Sequence, residues 1–222
     1  MLKAVILDFD GLIIDTEVVS YNIFKEWFLK NKNYSLSVED FTVCVGSNND
    51  SLFNLLENEK GIYIDKDTFH SEVSVLYKSQ IELLDARPGV PEFIKAIKNK
   101  GLKLALATSS PVEKPTFHLT RLGLINEFDA LITADLVKRI KPYPDLYLKA
   151  LEVLKIDAGD VLAVEDSYNG YLSATKAGVR VLVVPNKVTE HLDFTGCYDL
   201  VESLEGYSVD ALITDFDALN KC

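Results

Sequence analysis

The sequence predicts an α/β fold in which a Rossmann-like parallel sheet forms the core and an α-helical segment is inserted into it. From residue 87 onward, short apolar runs alternate with segments of helical periodicity, a pattern typical of a parallel sheet wound by right-handed crossovers. The first apolar run, residues 4–7, precedes the second by about 95 residues, far too many for one crossover connection. We therefore expect a core domain of residues 1–14 and 87–222 and a helical cap domain of residues 15–86.

The first strand is predicted at residues 4–7, and two carboxylates follow it directly in the step Asp8-Phe9-Asp10-Gly11. A buried parallel strand has this appearance when its carboxyl end opens on a site. The same step also occurs as an ordinary turn at the end of a strand, so the motif alone favours neither reading. The residues that follow the later predicted strands are needed to distinguish a functional site from a simple turn.

The predicted cap domain contains several helices. Thr16 is predicted as the N-cap of the first one. Further helices are predicted at about 50–58 and 65–84, whereas residues 41–45 fit either a strand or a helix. Both linkers of this domain adjoin the carboxyl end of the first strand, so we expect the cap to open and close over Asp8.

The core domain is predicted to continue as alternating helices and strands. Gly101 is expected to close the first of these helices as its C′ residue. Residues 211–219 repeat the pattern of the first strand and its two aspartates, but they lack the glycine, so we expect a terminal helix there. Strands are predicted over residues 103–107, 130–133, 161–164 and 181–184, and helices over 90–97, 117–122, 146–154 and 167–176.

Composition excludes several classes of partner. The chain has 222 residues, 48% of them hydrophobic, and 23 basic against 34 acidic residues give a net charge of −11. Nucleic acids and anionic membranes both require a basic face, so neither is expected as a partner. An anionic substrate would need local help, from a metal ion or from placed lysines, to enter so acidic a protein.

Cysteine usage and hydropathy indicate a cytoplasmic protein. The three cysteines, Cys44, Cys197 and Cys222, are odd in number and widely spaced, so neither a disulfide framework nor a zinc site is expected. No stretch approaches the roughly 18 apolar residues that cross a bilayer. The three histidines are isolated and show no metal-binding spacing.

Polar side chains follow four of the predicted core segments and are expected to meet in one crevice. In a parallel sheet, the carboxyl ends of the strands point to the same edge, where ligands bind. Several carboxylates gathered there would repel one another unless a hard cation such as Mg²⁺ lay among them. The groups concerned are Asp8 with Asp10, Thr108, Lys141, and Glu165 with Asp166.

This set of side chains supports phosphoryl transfer. One aspartate can attack phosphorus and form an aspartyl phosphate, and a second carboxylate nearby can protonate the leaving oxygen and later activate water. A lysine and a hydroxyl group can stabilise the charge on the transferred phosphoryl oxygens.

Four short motifs also resemble a known family. The stretches ILDFDG, ATSS, KPYPD and VEDSYNG, in this order and spacing, resemble the motifs of the haloacid dehalogenase superfamily, whose helical cap is inserted after the first motif. The branch of β-phosphoglucomutase-like phosphatases fits best. By this resemblance Asp8 is the nucleophile and Asp10 the general acid and base.

The resemblance also assigns the groups that hold phosphate and metal. Thr108 and Lys141 are expected to bind the phosphoryl group, with help from the backbone amide of Ser109. A Mg²⁺ ion is expected between the Asp8 side chain, the Asp10 backbone carbonyl and Asp166, with Glu165 beside them.

Departures from the family pattern favour phosphate hydrolysis. Members that dehalogenate lack the aspartate at the position of Asp10. A β-phosphoglucomutase would show a histidine shortly after the first motif and basic cap residues for a second phosphate, yet residues 16–20 and 45–50 contain neither. We therefore predict a Mg²⁺-dependent phosphatase with an aspartyl-phosphate intermediate, and a sugar-phosphate mutase is the nearest alternative.

The substrate is expected to be a small phosphorylated metabolite such as a sugar phosphate. In the cap, Ser20, Asn48 and Asn49 are the candidates for contact with its leaving group. A phosphoacceptor signalling domain and an inactive binding module are further alternatives, which the cap and the complete motif set disfavour. A monomer or a small homo-oligomer is expected.

Overall fold

A parallel sheet of six strands forms the centre of the chain in the structure, a computed structural model that describes residues 1–219. The strands are β1 (Ala4–Leu7), β2 (Lys103–Ala107), β3 (Ala130–Ile132), β4 (Val161–Glu165), β5 (Arg180–Val183) and β6 (Asp199–Leu200). Their order across the sheet is β3-β2-β1-β4-β5-β6, so β1 lies between β2 and β4. This arrangement confirms the predicted α/β fold class. The end of the predicted core domain, residues 220–222 with Cys222, lies outside the described residues.

Within residues 1–219, four helices after β1 form one group, and the other five precede β2, lie between the later strands or follow them. The first group is α1 (Thr16–Lys32), α2 (Val38–Thr42), α3 (Asp50–Lys60) and α4 (Lys66–Ile81). The second group is α5 (Val90–Asn99), α6 (Glu113–Arg121), α7 (Asp145–Leu154), α8 (Tyr168–Lys176) and α9 (Val209–Leu219).

Both faces of the sheet are buried by helices. Residues of β1 alternate between the faces, as the pleat of a strand requires: Val5 and Leu7 pack with α5, α6 and α9, whereas Ala4 and Ile6 pack with α7 and α8. All four are fully buried. Phe216 of α9 belongs to the first of these clusters, so the repeat near the carboxyl end is a packed terminal helix, as predicted.

Helices α1 to α4 enclose a separate aromatic cluster. The Phe69 ring lies at its centre, with ring centroids 4.8 Å from both Phe24 and Trp27 and 5.1 Å from Phe53. The two connections between this helical segment and the sheet run side by side, since the Arg87 N–H donates to the Ile13 carbonyl oxygen at 2.8 Å. The segment is thereby attached beside the carboxyl end of β1.

Some local predictions are wrong in detail. The N-cap of α1 is Asp15, whose side chain accepts from the Val18 N–H, and Thr16 is the first helical residue with its hydroxyl group turned to Asp10. In the ambiguous run 41–45, residues 41–42 form the end of helix α2 and residues 43–45 form a turn. Strand β6 was not predicted, because two residues are too few to show periodicity. No helix within residues 1–219 combines the length and apolarity needed to cross a bilayer.

Candidate active site

Strands β1 and β4 carry the central carboxylates of the site. They pair in register from Ala4 with Val161 to Leu7 with Val164, and the Asp8 N–H continues the ladder by donating to the Val164 carbonyl oxygen at 3.0 Å. The residues that follow this pairing on the two strands, Asp8 and Glu165, therefore end at the same level of the sheet.

Asp8, Glu165 and Asp166 form a buried acidic cluster. One carboxylate oxygen from each lies within 4.8 Å of the others, and none of the three residues is more than 2% exposed. Within the described residues, Asp8 Oδ2, Glu165 Oε2 and Asp166 Oδ1 have no hydrogen-bond partner. Buried carboxylate oxygens of this kind are the ligands that hard divalent cations take. The cluster thus fits a metal ion.

Lys141 is the cation of this cluster. Its Nζ lies 2.6 Å from Asp8 Oδ1 and 2.7 Å from Glu165 Oε1, and its side chain is fully buried. Burial opposes the charged form, but the two carboxylates outweigh it and raise the pKa of Lys141. The Tyr147 hydroxyl group also donates to Glu165 Oε1. Glu165 therefore holds the lysine in place against Asp8.

The cluster has more negative than positive groups. Burial, and after it the charge of Glu165, raises the pKa of Asp8 well above the usual aspartate value, although Lys141 opposes this. Burial, and after it the charge of Asp8, likewise raises the pKa of Asp166. A bound divalent cation would favour the ionised carboxylates and so reverse both shifts.

Asp10 is held in a different environment. Its Oδ1 accepts from the Thr16 hydroxyl group at 2.7 Å and lies 2.5 Å from Lys114 Nζ, while Oδ2 accepts from the Ser110 hydroxyl group at 2.6 Å. Burial raises the pKa of Asp10, but Lys114, Ser110 and Thr16 together outweigh it, and the net pKa is lowered. The pKa values of Asp8 and Asp10, two positions apart, are thus shifted in opposite directions, because Asp10 has a lysine and two hydroxyl donors of its own.

Two glycines make room for the carboxylates. Gly11 has φ +76°, and a Cβ atom there would overlap Asp166 Oδ2 and lie 2.9 Å from Asn186 Nδ2. Asn186 in turn donates to Asp166 Oδ2 at 2.7 Å. A Cβ atom at Gly170 would overlap the Glu165 carboxylate. Both positions need glycine because a charged group approaches the backbone closely.

A small cavity of about 30 Å³ lies between Asp8 and the loop after β2. Thr108 is buried and its hydroxyl oxygen accepts from the Ser110 N–H at 3.0 Å. The Ser109 hydroxyl group donates to the Gly46 carbonyl oxygen at 2.9 Å, so it joins this loop to the helical segment. The structure thus brings Asp8, Asp10, Thr108 and Ser109 to one cavity. Lys141 is not among the residues that line this cavity, but it forms an ion pair with Asp8, which is.

A larger cavity of about 270 Å³ opens next to Asp10 and lies between the helical segment and the core. Ser20 and Asn49 line it, as expected of residues that contact a leaving group. Asn48 does not: it is exposed, its side chain caps the Asp50 N–H, and it lines a separate groove. The other lining residues are Glu17, Phe24, Phe41, Cys44, Ser47, His70, Val73, Ser74, Tyr77, Ser110 and Lys114.

The loop after α2 is hydrogen-bonded to the core beside the site. The Ser47 hydroxyl group donates to the Lys141 carbonyl oxygen at 2.5 Å, and Asn169 Nδ2 donates to the Val45 carbonyl oxygen at 2.8 Å. Gly46, with φ +75°, faces Ser167 so closely that a Cβ atom would overlap the serine hydroxyl group. The helical segment therefore lies closed over the acidic cluster.

Sequence reasoning missed several of these contacts. Ser110 stands in the ATSS motif, but no role was assigned to it. Lys114 lies in the first turn of α6, and Asn186 follows β5, so the rule that strand ends meet at one edge could have found both. Tyr77 carried no such signal, because its place at the site depends on how α4 packs on the core.

Comparison with known proteins shows which family and which proteins the chain resembles. A family model described as haloacid dehalogenase-like hydrolase matches residues 5–184. A protein of Bacillus subtilis (strain 168) named "Putative phosphatase YhcW" is 36% identical over 225 residues, which cover 99% of this chain and 100% of that protein. The "Phosphorylated carbohydrates phosphatase" of Thermotoga maritima is 34% identical over 182 residues, covering 81% of this chain and 83% of that one.

A solved structure supports the fold. The crystal structure of β-phosphoglucomutase from Clostridium difficile superposes with a TM-score of 0.82 and covers 100% of both chains. Its sequence is 21% identical to this chain, so the likeness bears on the architecture alone.

Proposed function

Since the chain belongs to the haloacid dehalogenase-like hydrolase family, we propose that it is a Mg²⁺-dependent phosphatase that acts through an aspartyl phosphate on Asp8. One observation carries the proposal. Asp8 Oδ1 contacts Lys141, whereas Oδ2 has no hydrogen-bond partner among residues 1–219, and the residue lines the 30 Å³ cavity beside Thr108. Lys141 thus positions the Asp8 carboxylate beside the cavity in which the phosphoryl group would bind, as a nucleophile requires.

The metal would be held by the Asp8 and Asp166 side chains and by the backbone carbonyl of Asp10. Bound there, Mg²⁺ would neutralise phosphoryl oxygens and orient them for in-line attack. Glu165 contacts Lys141 and Tyr147, so in this proposal it positions the lysine and adds negative charge next to the metal.

The chain's own groups account for both halves of the reaction. Asp8 forms a bond to phosphorus while the bond to the leaving oxygen breaks, and protonated Asp10 gives that oxygen its proton. Water then attacks the aspartyl phosphate, Asp10 takes a proton from it, and Asp8 and phosphate are released. Thr108, Lys141 and the Ser109 N–H would bind the phosphoryl oxygens during both steps.

The substrate proposed is the monophosphate of a small metabolite, with a sugar phosphate as the first candidate. The name of the Thermotoga maritima relative refers to phosphorylated carbohydrates. The 270 Å³ cavity would hold the leaving group, with Ser20 and Asn49 in contact with it; Asn48 stays a candidate that reaches it only if α3 or the loop before it moves. We further propose a cytoplasmic enzyme that acts as a monomer or a small homo-oligomer.

A sugar-phosphate mutase is the second candidate, and the cavity disfavours it. A mutase must bind a second phosphate at the far end of the substrate. Among the residues that line the cavity, Lys114 is the one lysine or arginine, and it contacts Asp10. Such a site has little positive charge for a second phosphate.

The test is phosphate release from p-nitrophenyl phosphate and from a panel of phosphorylated metabolites, with and without Mg²⁺. We expect Mg²⁺-dependent release by the wild type and none by Asp8→Asn. Retained activity in Asp8→Asn would overturn the proposal. Isomerisation that needs a bisphosphate activator and releases little phosphate would instead identify a mutase.

A further inference from the structure

Lys114 lies where the catalytic aspartate meets the leaving-group cavity. Its Nζ is 2.5 Å from Asp10 Oδ1 and 2.6 Å from the hydroxyl oxygen of Tyr77, which belongs to α4 of the helical segment. An ammonium group has three N–H donors, and these two contacts use two of them. The side chain is 23% exposed and lines the cavity. One donor therefore remains for a group bound in that cavity.

The place of Nζ fixes which substrate atom it can reach. When Asp10 gives its proton to the ester oxygen, that oxygen lies one hydrogen bond from the carboxyl group, so Nζ comes within about 5 Å of it. An oxygen on the neighbouring carbon of the leaving group lies within this range of the ester oxygen. The free N–H of Lys114 can donate to such an oxygen.

Glu17 provides a matching acceptor. It lines both the small cavity at Asp8 and the larger one beside Asp10, so it lies where the two join. Burial and the charge of Asp10 raise the pKa of its carboxyl group to about 7, and the nearby Lys114 opposes this shift. A hydroxyl group can accept from Lys114 and donate to Glu17 at once, whereas hydrogen or a methyl group can do neither.

We propose that Lys114 and Glu17 select phosphate esters that carry a hydroxyl group on the carbon next to the phosphorylated one. The inference rests on the proposed phosphatase activity and adds the feature of the leaving group that is recognised. Tyr77, which accepts a hydrogen bond from Lys114, positions the lysine. Hydrogen bonds to charged groups in a closed site discriminate by about ten- to a hundredfold against a substrate that lacks the partner.

The experiment compares 2-hydroxypropyl phosphate with propyl phosphate, which differ by that one hydroxyl group, using the protein with Mg²⁺. We expect kcat/KM of the wild type to favour the hydroxylated ester at least tenfold. The ratio should fall to within about threefold of unity in Lys114→Met, and partway in Glu17→Gln and in Tyr77→Phe. Lys138→Met is the matched control, because Lys138 is exposed outside this cavity, and it should keep the wild-type ratio.

The ratio of the two kcat/KM values distinguishes recognition of the hydroxyl group from a general loss of activity through Asp10. Such a loss would lower kcat/KM for both esters by the same factor and leave the ratio unchanged. If Lys114→Met is too slow to assay, the ratio of dissociation constants for the two esters is measured by calorimetry in the Asp8→Asn background, with and without Lys114→Met. Equal kcat/KM values in the wild type, or an unchanged ratio in Lys114→Met, would overturn the inference. Release of phosphate from neither ester would instead count against the phosphatase itself.

Discussion

Lys141 and Asp8 form a fully buried ion pair across the carboxyl ends of the sheet, with Nζ 2.6 Å from Oδ1. The same ammonium group lies 2.7 Å from Glu165, so one cation faces two carboxylates. Asp166, also buried, adds a third carboxylate without contacting the lysine. The charge of the cluster is therefore unbalanced in a way that a divalent cation would correct.

Replacement of Lys141 tests how the cluster is held together. Lys141→Met should destabilise the protein by about 3–5 kcal/mol at pH 7, because two buried carboxylates lose their cation. The loss should be smaller at pH 5 than at pH 7, because the raised pKa of Asp8 favours its protonation as the pH falls and so removes part of the unpaired charge. Urea denaturation at both pH values measures this, with Lys138→Met as control. Equal stability of Lys141→Met and wild type at pH 7 would contradict it.

Addition of Mg²⁺ tests the proposed metal site without any assay of activity. At a hundredfold excess over its dissociation constant, Mg²⁺ should raise the melting temperature by about 5 °C or more. Asp166→Asn removes a carboxylate from the cluster and should abolish most of this rise. Asp67→Asn, at an exposed position in α4, should leave it intact. A rise of the same size in Asp166→Asn and wild type would exclude this cluster as the site.

Substitution of Gly170 tests the close approach of Glu165 to α8. In Gly170→Ala the new methyl group would overlap the Glu165 carboxylate and displace it from Lys141. We expect a loss of about 1–3 kcal/mol in the free energy of unfolding, together with at least a tenfold loss of phosphatase activity. In Gly159→Ala the added Cβ atom meets nothing within 4 Å, and this variant should behave as wild type. If Gly170→Ala and Gly159→Ala had the same free energy of unfolding and the same phosphatase activity, the steric argument would be refuted.

Glu17 makes stability depend on pH. Burial, and after it the charge of Asp10, raises the pKa of Glu17 to about 7 in the folded protein, against an ordinary glutamate pKa of 4.5. Between these values the unfolded chain loses the proton and the folded chain keeps it, so this group lowers stability as pH rises to about 7. Glu17→Gln should therefore be more stable than wild type at pH 8, on the order of 1 kcal/mol, and about equal at pH 4. Glu26→Gln, at an exposed position of α1, should show no such difference.

Much of the fold follows from local patterns in the sequence. The apolar runs at 4–7 and 103–107 are strands with the predicted bounds, because a strand buried on both faces shows a continuous apolar run. The rule that strand ends meet at one edge brought Asp8 and Asp166 together although 158 positions separate them. Their cluster is the part of the site that topology alone could predict.

The rest of the site depends on packing that no local pattern encodes. Tyr77 reaches Lys114 where both line the cavity between the helical segment and the core, and Asn48 does not line that cavity because its side chain caps the backbone at Asp50. Thr16 is a good capping residue by type, yet Asp15 caps α1 and the threonine hydroxyl group binds Asp10. For Tyr77 and Thr16 a tertiary contact decided among local alternatives of similar energy, whereas for Asn48 a local cap did so.

The central claim is that phosphate is transferred to Asp8, and direct trapping of the intermediate tests it. The protein is incubated with Mg²⁺ and p-nitrophenyl phosphate, quenched with hydroxylamine, which converts an acyl phosphate to a hydroxamate, and digested for peptide mass spectrometry. We predict a hydroxamate at Asp8 that requires both substrate and Mg²⁺ and is absent from Asp8→Asn. Phosphate release with Asp8 unmodified, or with the hydroxamate at another residue, would contradict the account.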